Sequence, residues 1–87
     1  MSKVKVLYFL DNEGPSKLQE EIIKELQKEF KNVIFLKVDI SNNNILSVYD
    51  IKEFPTLIIE NDGSPKIKFS GLTQMLFIKR ALNELIK

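Results

Sequence analysis

The sequence predicts an α/β fold, with elements in the order β-α-β-α-β-β-α and four strands in one mixed sheet. Three observations predict it. The runs VKVLYFL, VIFLKVDI and TLIIE are short, β-branched and aromatic, as strands are. Between and after them, apolar residues recur every three or four positions, as on one face of a helix. Asp62-Gly63 separates the third run from the alternating KIKFS, which is a hairpin signal.

Val4 to Leu10 is almost continuously apolar and is expected to be a strand buried on both faces, in the middle of the sheet. Asp11 to Pro15 breaks the run. From Ser16, the residues Leu18, Ile22, Ile23, Leu26 and Phe30 form the apolar stripe of a helix. Lys17, Glu20, Glu21, Lys24, Glu25, Lys28 and Glu29 form its solvated face. Lys31 and Asn32 suit its end, since a cation favours the negative pole of the helix and Asn tolerates stop geometry. Val33 to Ile40 is a second strand. A strand, helix and strand of these lengths imply a parallel pair with a right-handed crossover.

Ser41 to Asn44 is a polar loop able to cap a short helix whose apolar residues are Ile45, Leu46, Val48 and Tyr49. Phe54-Pro55 interrupts it. Thr56 to Glu60 is the third strand, and Asn61 to Pro65 is the turn region. Lys66 to Ser70 alternates as an edge strand does, with Ile67 and Phe69 inward and the lysines guarding the edge. Gly71 is a turn. Thr73 or Gln74 opens a last helix ending near Ile86, with Met75, Ile78, Leu82 and Leu85 as its stripe.

The chain has 87 residues, which suits one small domain over 1–87. Its 13 basic and 12 acidic side chains balance, and they do not segregate, so neither a nucleic-acid nor a membrane-surface partner is expected. No apolar run approaches the roughly 20 residues that span a bilayer. The start, MSKVKVLYFLDNE, does not read as a signal peptide, so the expected location is cytoplasmic. Cysteine and histidine are both absent, which leaves only carboxylates as charged metal ligands; no metal and no cofactor is expected.

At this point a resemblance emerges. The chain is similar to the thioredoxin-like proteins, in a minimal short form. A strand runs into Glu13-Gly14-Pro15-Ser16-Lys17 at the head of a helix. Val38-Asp39 ends the next strand. Tyr49-Asp50-Ile51-Lys52-Glu53-Phe54-Pro55-Thr56-Leu57 resembles the family's tyrosine, loop and Pro-Thr-Leu segment, and Asp62-Gly63 and Gly71 follow at the family's spacing. The resemblance implies a thioredoxin-like fold with helices on both faces of the sheet, a cis bond at Pro55, and an extended peptide docking beside it.

The same resemblance shows what is missing. Glu13 and Ser16 stand where redox members carry their two cysteines. Asn12 replaces the preceding aromatic, and Leu7 stands where many thioredoxins have a buried acid. Thiol-disulfide exchange requires a thiolate that attacks sulfur, so this chain cannot perform it. A Glu13–Ser16 catalytic pair lacks both a histidine base and an orienting third group. No catalytic residue is expected.

For Glu13, Gly14, Pro15 and Ser16, the simpler reading is a good helix start. The helix N-terminus favours the Glu13 carboxylate, and Pro15 fits the first turn. The functional reading is a partner-contacting loop. Phe54, Pro55 and Thr56 have a stronger case, as strand-like backbone able to pair with a bound peptide. Gly71 and Leu72 complete the expected surface, although a turn requiring unusual backbone angles explains Gly71 as well. The expected function is therefore a redox-inactive domain, monomeric, that binds a protein or an extended peptide at Glu13–Ser16, Phe54–Thr56 and Gly71–Leu72. The competing expectations are a lapsed, ancestral or engineered cysteine-free oxidoreductase, and a partner-switching or scaffold module.

Overall fold

The computed structural model describes residues 3–86. Residues 1, 2 and 87, the two ends of the expected domain, lie outside the described residues. The elements are β1 (Val4–Phe9), α1 (Gly14–Glu29), β2 (Ile34–Lys37), α2 (Asn43–Val48), β3 (Thr56–Asn61), β4 (Ser64–Ser70) and α3 (Met75–Ile86). The four strands form one sheet in the order β2-β1-β3-β4. β1 is parallel to β2 and antiparallel to β3, and β4 is antiparallel to β3. The mixed α/β order read from the sequence is therefore the observed one.

Alternation along β1 divides the core. Val4 and Val6 point toward α1 and α3, where they pack with Ile23, Leu26, Phe30, Val33, Leu57, Ile59, Ile78 and Leu82. Leu7 and Phe9 point the other way and pack with Ile58 beneath Ile45, Leu46, Tyr49, Ile51 and Phe54 of the α2 side. One face thus holds two helices and the larger core, and the other holds one short helix.

The hairpin follows its turn chemistry. Asp62 and Gly63 have φ of 54° and 83°, the left-handed backbone that a two-residue hairpin loop requires. The Asp62 N–H donates to the Lys3 carbonyl at 2.8 Å, and Asp62 Oδ1 accepts from the Lys3 N–H at 2.9 Å, tying the turn to the start of β1. β4 begins at Ser64, earlier than expected. It accommodates Pro65 because the register slips between Ile59 and Glu60: Ile59 pairs with Ile67, but Glu60 pairs with Pro65. Bulges on edge strands tolerate proline in this way.

Other expectations need correction. Leu18, placed on the inward stripe, is 59% exposed. The face of α1 that meets the sheet runs through Ser16, Gln19, Ile23 and Leu26, with Phe30 following as the C-cap. Leu18 lies about 100° around the helix from Gln19, which turns it to solvent. Val48, counted with the apolar residues of α2, is 78% exposed. β2 is shorter than the expected run from Val33 to Ile40, although the Val38 N–H still donates to the Tyr8 carbonyl at 3.0 Å. Lys68, read as edge protection, reaches instead to the end of α2: its ammonium donates to the Asp50 carbonyl and, at 3.3 Å, to the Tyr49 carbonyl.

α2 begins as its polar loop suggested. Asn42 Oδ1 accepts from the Asn44 N–H at 3.0 Å and the Ile45 N–H at 3.2 Å, satisfying two otherwise orphaned donors.

Candidate functional site

The register sets the site. Phe9 pairs with Thr56, and Thr56 with Ser70, so the end of β1, the start of β3 and the end of β4 meet at one end of the sheet. The loops beyond these residues carry every candidate: Glu13 to Ser16, Phe54 to Thr56, and Gly71 to Leu72. The fold gathers all three segments at that end.

The first loop is organised by Asp11 rather than by Glu13. The Asp11 N–H donates to Ser16 Oγ at 3.1 Å, and Asp11 Oδ1 accepts from the Glu13 N–H at 3.1 Å. The Ser16 hydroxyl beside it and the Glu13 N–H hold the Asp11 carboxyl below the usual aspartate value. Glu13 is the N-cap by position, with extended backbone, but its side chain caps nothing. Its carbonyl accepts from the Lys17 N–H at 3.2 Å, which closes the first turn. The anion that the sequence assigned to Glu13 is supplied two residues earlier, where an aspartate can fold back on its own loop.

Ser16 is buried, with its oxygen engaged by Asp11, whereas Glu13, Gly14 and Pro15 are exposed. The exposed portion of this loop is thus Glu13 to Pro15. Leu7 is buried among Phe9 and Ile58, and Asn12 is exposed. Beside the loop, Asp11, Asn12, Lys37 and Asp39 border an open depression with Leu10, Val38 and Ile40.

The second segment is a main-chain surface. The Phe54-Pro55 peptide bond is cis. Pro55 and Thr56 are buried, and Phe54 is half-buried against the α2-side core. Thr56 Oγ1 donates to the Glu53 carbonyl at 2.7 Å, and the Pro55 carbonyl accepts from the Gly71 N–H at 2.8 Å. The third segment is thereby fastened to the second. Gly71 has φ of +87°, where a side chain would be strained. Leu72 is exposed beside it.

Sequence reasoning missed the residue that holds this corner together. Gln19 is fully buried, and its amide makes two hydrogen bonds to Thr73: Nε2 donates to the carbonyl at 3.2 Å, and Oε1 accepts from the N–H at 2.8 Å. Thr73 Oγ1 in turn donates to the Gly71 carbonyl at 3.2 Å. Helix α1 is clasped to the segment after β4, and loop Glu13–Ser16 to Gly71–Leu72. The signal was present: positions 16, 19, 23, 26 and 30 follow helical spacing, with two polar residues at the end nearest the loop.

A second polar contact lies under the sheet. The Tyr49 hydroxyl donates to Glu60 Oε2 at 3.2 Å, and its ring lies 5.8 Å from that of Phe9. Burial and the Glu60 carboxylate push the Tyr49 phenol up. This contact sits among the α2-side residues and pins α2 to β3. The carboxylate beside the Ser16 hydroxyl is Asp11, and its lowered value makes it a weak base there.

Comparison with known proteins places this geometry. The family model described as Thioredoxin matches residues 2–84. The thioredoxin of Mycoplasmoides gallisepticum is 35% identical over 86 residues, covering 98% of this chain and 82% of that protein. The X-ray structure of Fasciola hepatica thioredoxin superposes with a TM-score of 0.86 at 25% identity, over 95% of this chain and 81% of the other. A mutant thioredoxin from Halobacterium salinarum gives a TM-score of 0.90 at 23% identity, over 98% of this chain and 76% of that one, and shares the fold.

Proposed function

The chain belongs to the thioredoxin family, and from that premise we propose that it is a redox-inactive member that binds a protein or an extended peptide at the end of its sheet. The chain contains no cysteine, so neither an attacking nor a resolving thiol exists. What supports binding is the state of the backbone at Phe54. Its N–H and C=O make no hydrogen bond to another described residue, although it lies only two residues before a paired strand. An extended segment can satisfy such groups by strand-like pairing. Exposed Leu72 offers an apolar contact on one flank and Glu13 to Pro15 border the other. Ser16, Pro55 and Thr56 are buried, so they shape the surface from beneath. The domain acts in the cytoplasm in this reading, and its partner is neither a nucleic acid nor a membrane.

An amide NMR titration with extended peptides tests the binding. Shifts clustered at Glu13, Gly14, Phe54, Thr56 and Leu72, reduced by Leu72→Glu, support the reading; shifts confined elsewhere overturn it. The redox half has its own test. The chain should not accelerate disulfide reduction in a dithiol-driven insulin assay, and acceleration above the blank would refute it. Restoring thiols with Glu13→Cys and Ser16→Cys separates a lapsed enzyme from a dedicated binder: strong activity would favour the former.

A further inference from the structure

We propose that the extended segment bound at Phe54 is basic, carrying lysine or arginine, and that Glu53 selects it. The inference rests on the peptide surface proposed above and names the chemistry of what lies on it. The chain as a whole balances 13 basic side chains against 12 acidic ones. Around this surface the balance fails.

Glu53 directly precedes Phe54, whose N–H and C=O are open to pairing. The main chain of Glu53 is engaged, since its carbonyl accepts from Thr56 Oγ1 at 2.7 Å. Its side chain is not. The carboxylate reaches over to the third segment, where Oε1 lies 3.8 Å from the position that a Cβ on Gly71 would take. It therefore stands where the Phe54 and Leu72 segments meet. Glu53 is exposed, and its carboxylate has no ion pair or hydrogen bond among the described residues.

Glu13 carries a second carboxylate on the other flank. It is exposed at the head of α1, and its side chain caps nothing. Behind it, the Ser16 hydroxyl and the Glu13 N–H keep Asp11 charged. The nearest cations are occupied or turned away. Lys52 pairs with Asp50 at 3.7 Å, and Lys37 with Glu20 at 3.3 Å. Lys17 lies about 200° around α1 from buried Gln19, on the side turned from the sheet.

A segment paired with the Phe54 main chain therefore runs between two uncompensated carboxylates. A lysine or arginine there can lay its stem on exposed Leu72 and set its charged head against Glu53. An acidic segment would meet like charge on both flanks.

Two extended peptides of one apolar sequence test this, one with lysine at two positions and its twin with glutamate at the same two. Both are titrated against the labelled chain by amide NMR. At about 0.05 M salt the lysine peptide should bind about tenfold more tightly, with shifts at Phe54 and Gly71, and at about 0.5 M the ratio should fall toward one. Glu53→Gln should narrow the low-salt ratio by about threefold, whereas Glu21→Gln, on the outer face of α1, should leave it unchanged. Glu53 is exposed, so the amide spectrum should otherwise report the same fold. Equal affinities, or tighter binding of the glutamate peptide, with shifts at Phe54 overturn this inference and leave the peptide surface standing. So does a ratio that Glu21→Gln narrows as much as Glu53→Gln, because net charge alone would then explain it. Two peptides that both leave Phe54 unmoved overturn the inference and the peptide surface together.

Discussion

Gln19 shows how one side chain can organise a surface it never reaches. Both of its hydrogen bonds go to the main chain of Thr73. Gln19→Leu keeps much of the volume but strips the partner from an N–H and a C=O. The expected loss is about 1–3 kcal/mol by urea unfolding, with faster amide exchange at Thr73 as the local readout. The glycines separate two roles. Gly14→Ala should be neutral or stabilising by about 0.5 kcal/mol, because an added Cβ meets nothing within 4 Å. Gly71→Ala should cost about 1 kcal/mol or more, because φ there is +87°. Titration carries the same information in another form. Asp11 and Asp39 sit below the ordinary 3.8, Asp11 through Ser16 and Glu13, Asp39 through the Ser41 N–H and hydroxyl. A lowered folded value means the stabilisation is present above 3.8 and is lost as pH falls through the lower folded value. Asp11→Asn should therefore flatten the acid limb of a pH–stability profile. Tyr49 is the converse: its raised value means stability is present below 10.0 and lost as pH rises through the higher folded value, a loss that Tyr49→Phe should remove.

The elements differ in how openly their residues declare them. The hairpin's turn was legible, because Asp62-Gly63 specifies it from within two residues, whereas the start of β4 at Ser64 and its bulge were not. The stripe of α3 was legible too, since Ile78 and Leu82 are the buried pair. Helix α1 was read correctly as a helix and wrongly in its rotation. Apolar identity placed Leu18 inside, but the loop before it commits Ser16 and Gln19 to the interior first. Rotation about a helix axis is set by what its first turn must touch, and that contact, Thr73, lies 54 positions away. Lys68 was misread for a related reason: alternation shows that it leaves the α1 face, not that α2 ends beneath it. Lys68→Met should cost about 0.5–1 kcal/mol by removing a cation from the carbonyl end of α2. The amides of the last turn of α2 should report the loss by faster exchange.

At the scale of the whole molecule, the candidate surface was legible as three sequence segments, and its assembly was not. No local pattern states that Phe9, Thr56 and Ser70 share a row; that follows from the sheet order β2-β1-β3-β4. The residue that fastens the segments, Gln19, is polar and acts over a distance a linear pattern does not carry. The sheet also divides the molecule unequally. α1 and α3 bury Ile23, Leu26, Ile78 and Leu82 on one side, whereas α2 contributes no fully buried residue on the other. What holds α2 is the packing of half-buried Ile45, Leu46, Tyr49 and Ile51 on Leu7, Phe9 and Ile58, with the Lys68 clasp and the Tyr49–Glu60 contact at its end. Residues 39–52 are therefore a hinged shutter over a finished frame. They should detach as a unit below the denaturant needed to unfold the rest, and native-state hydrogen exchange should resolve that step. A shutter that opens without disturbing its frame can also be replaced without disturbing it. Lengthening or exchanging this segment is the change the fold should forgive most readily, while the corner clasped by Gln19 should tolerate almost none.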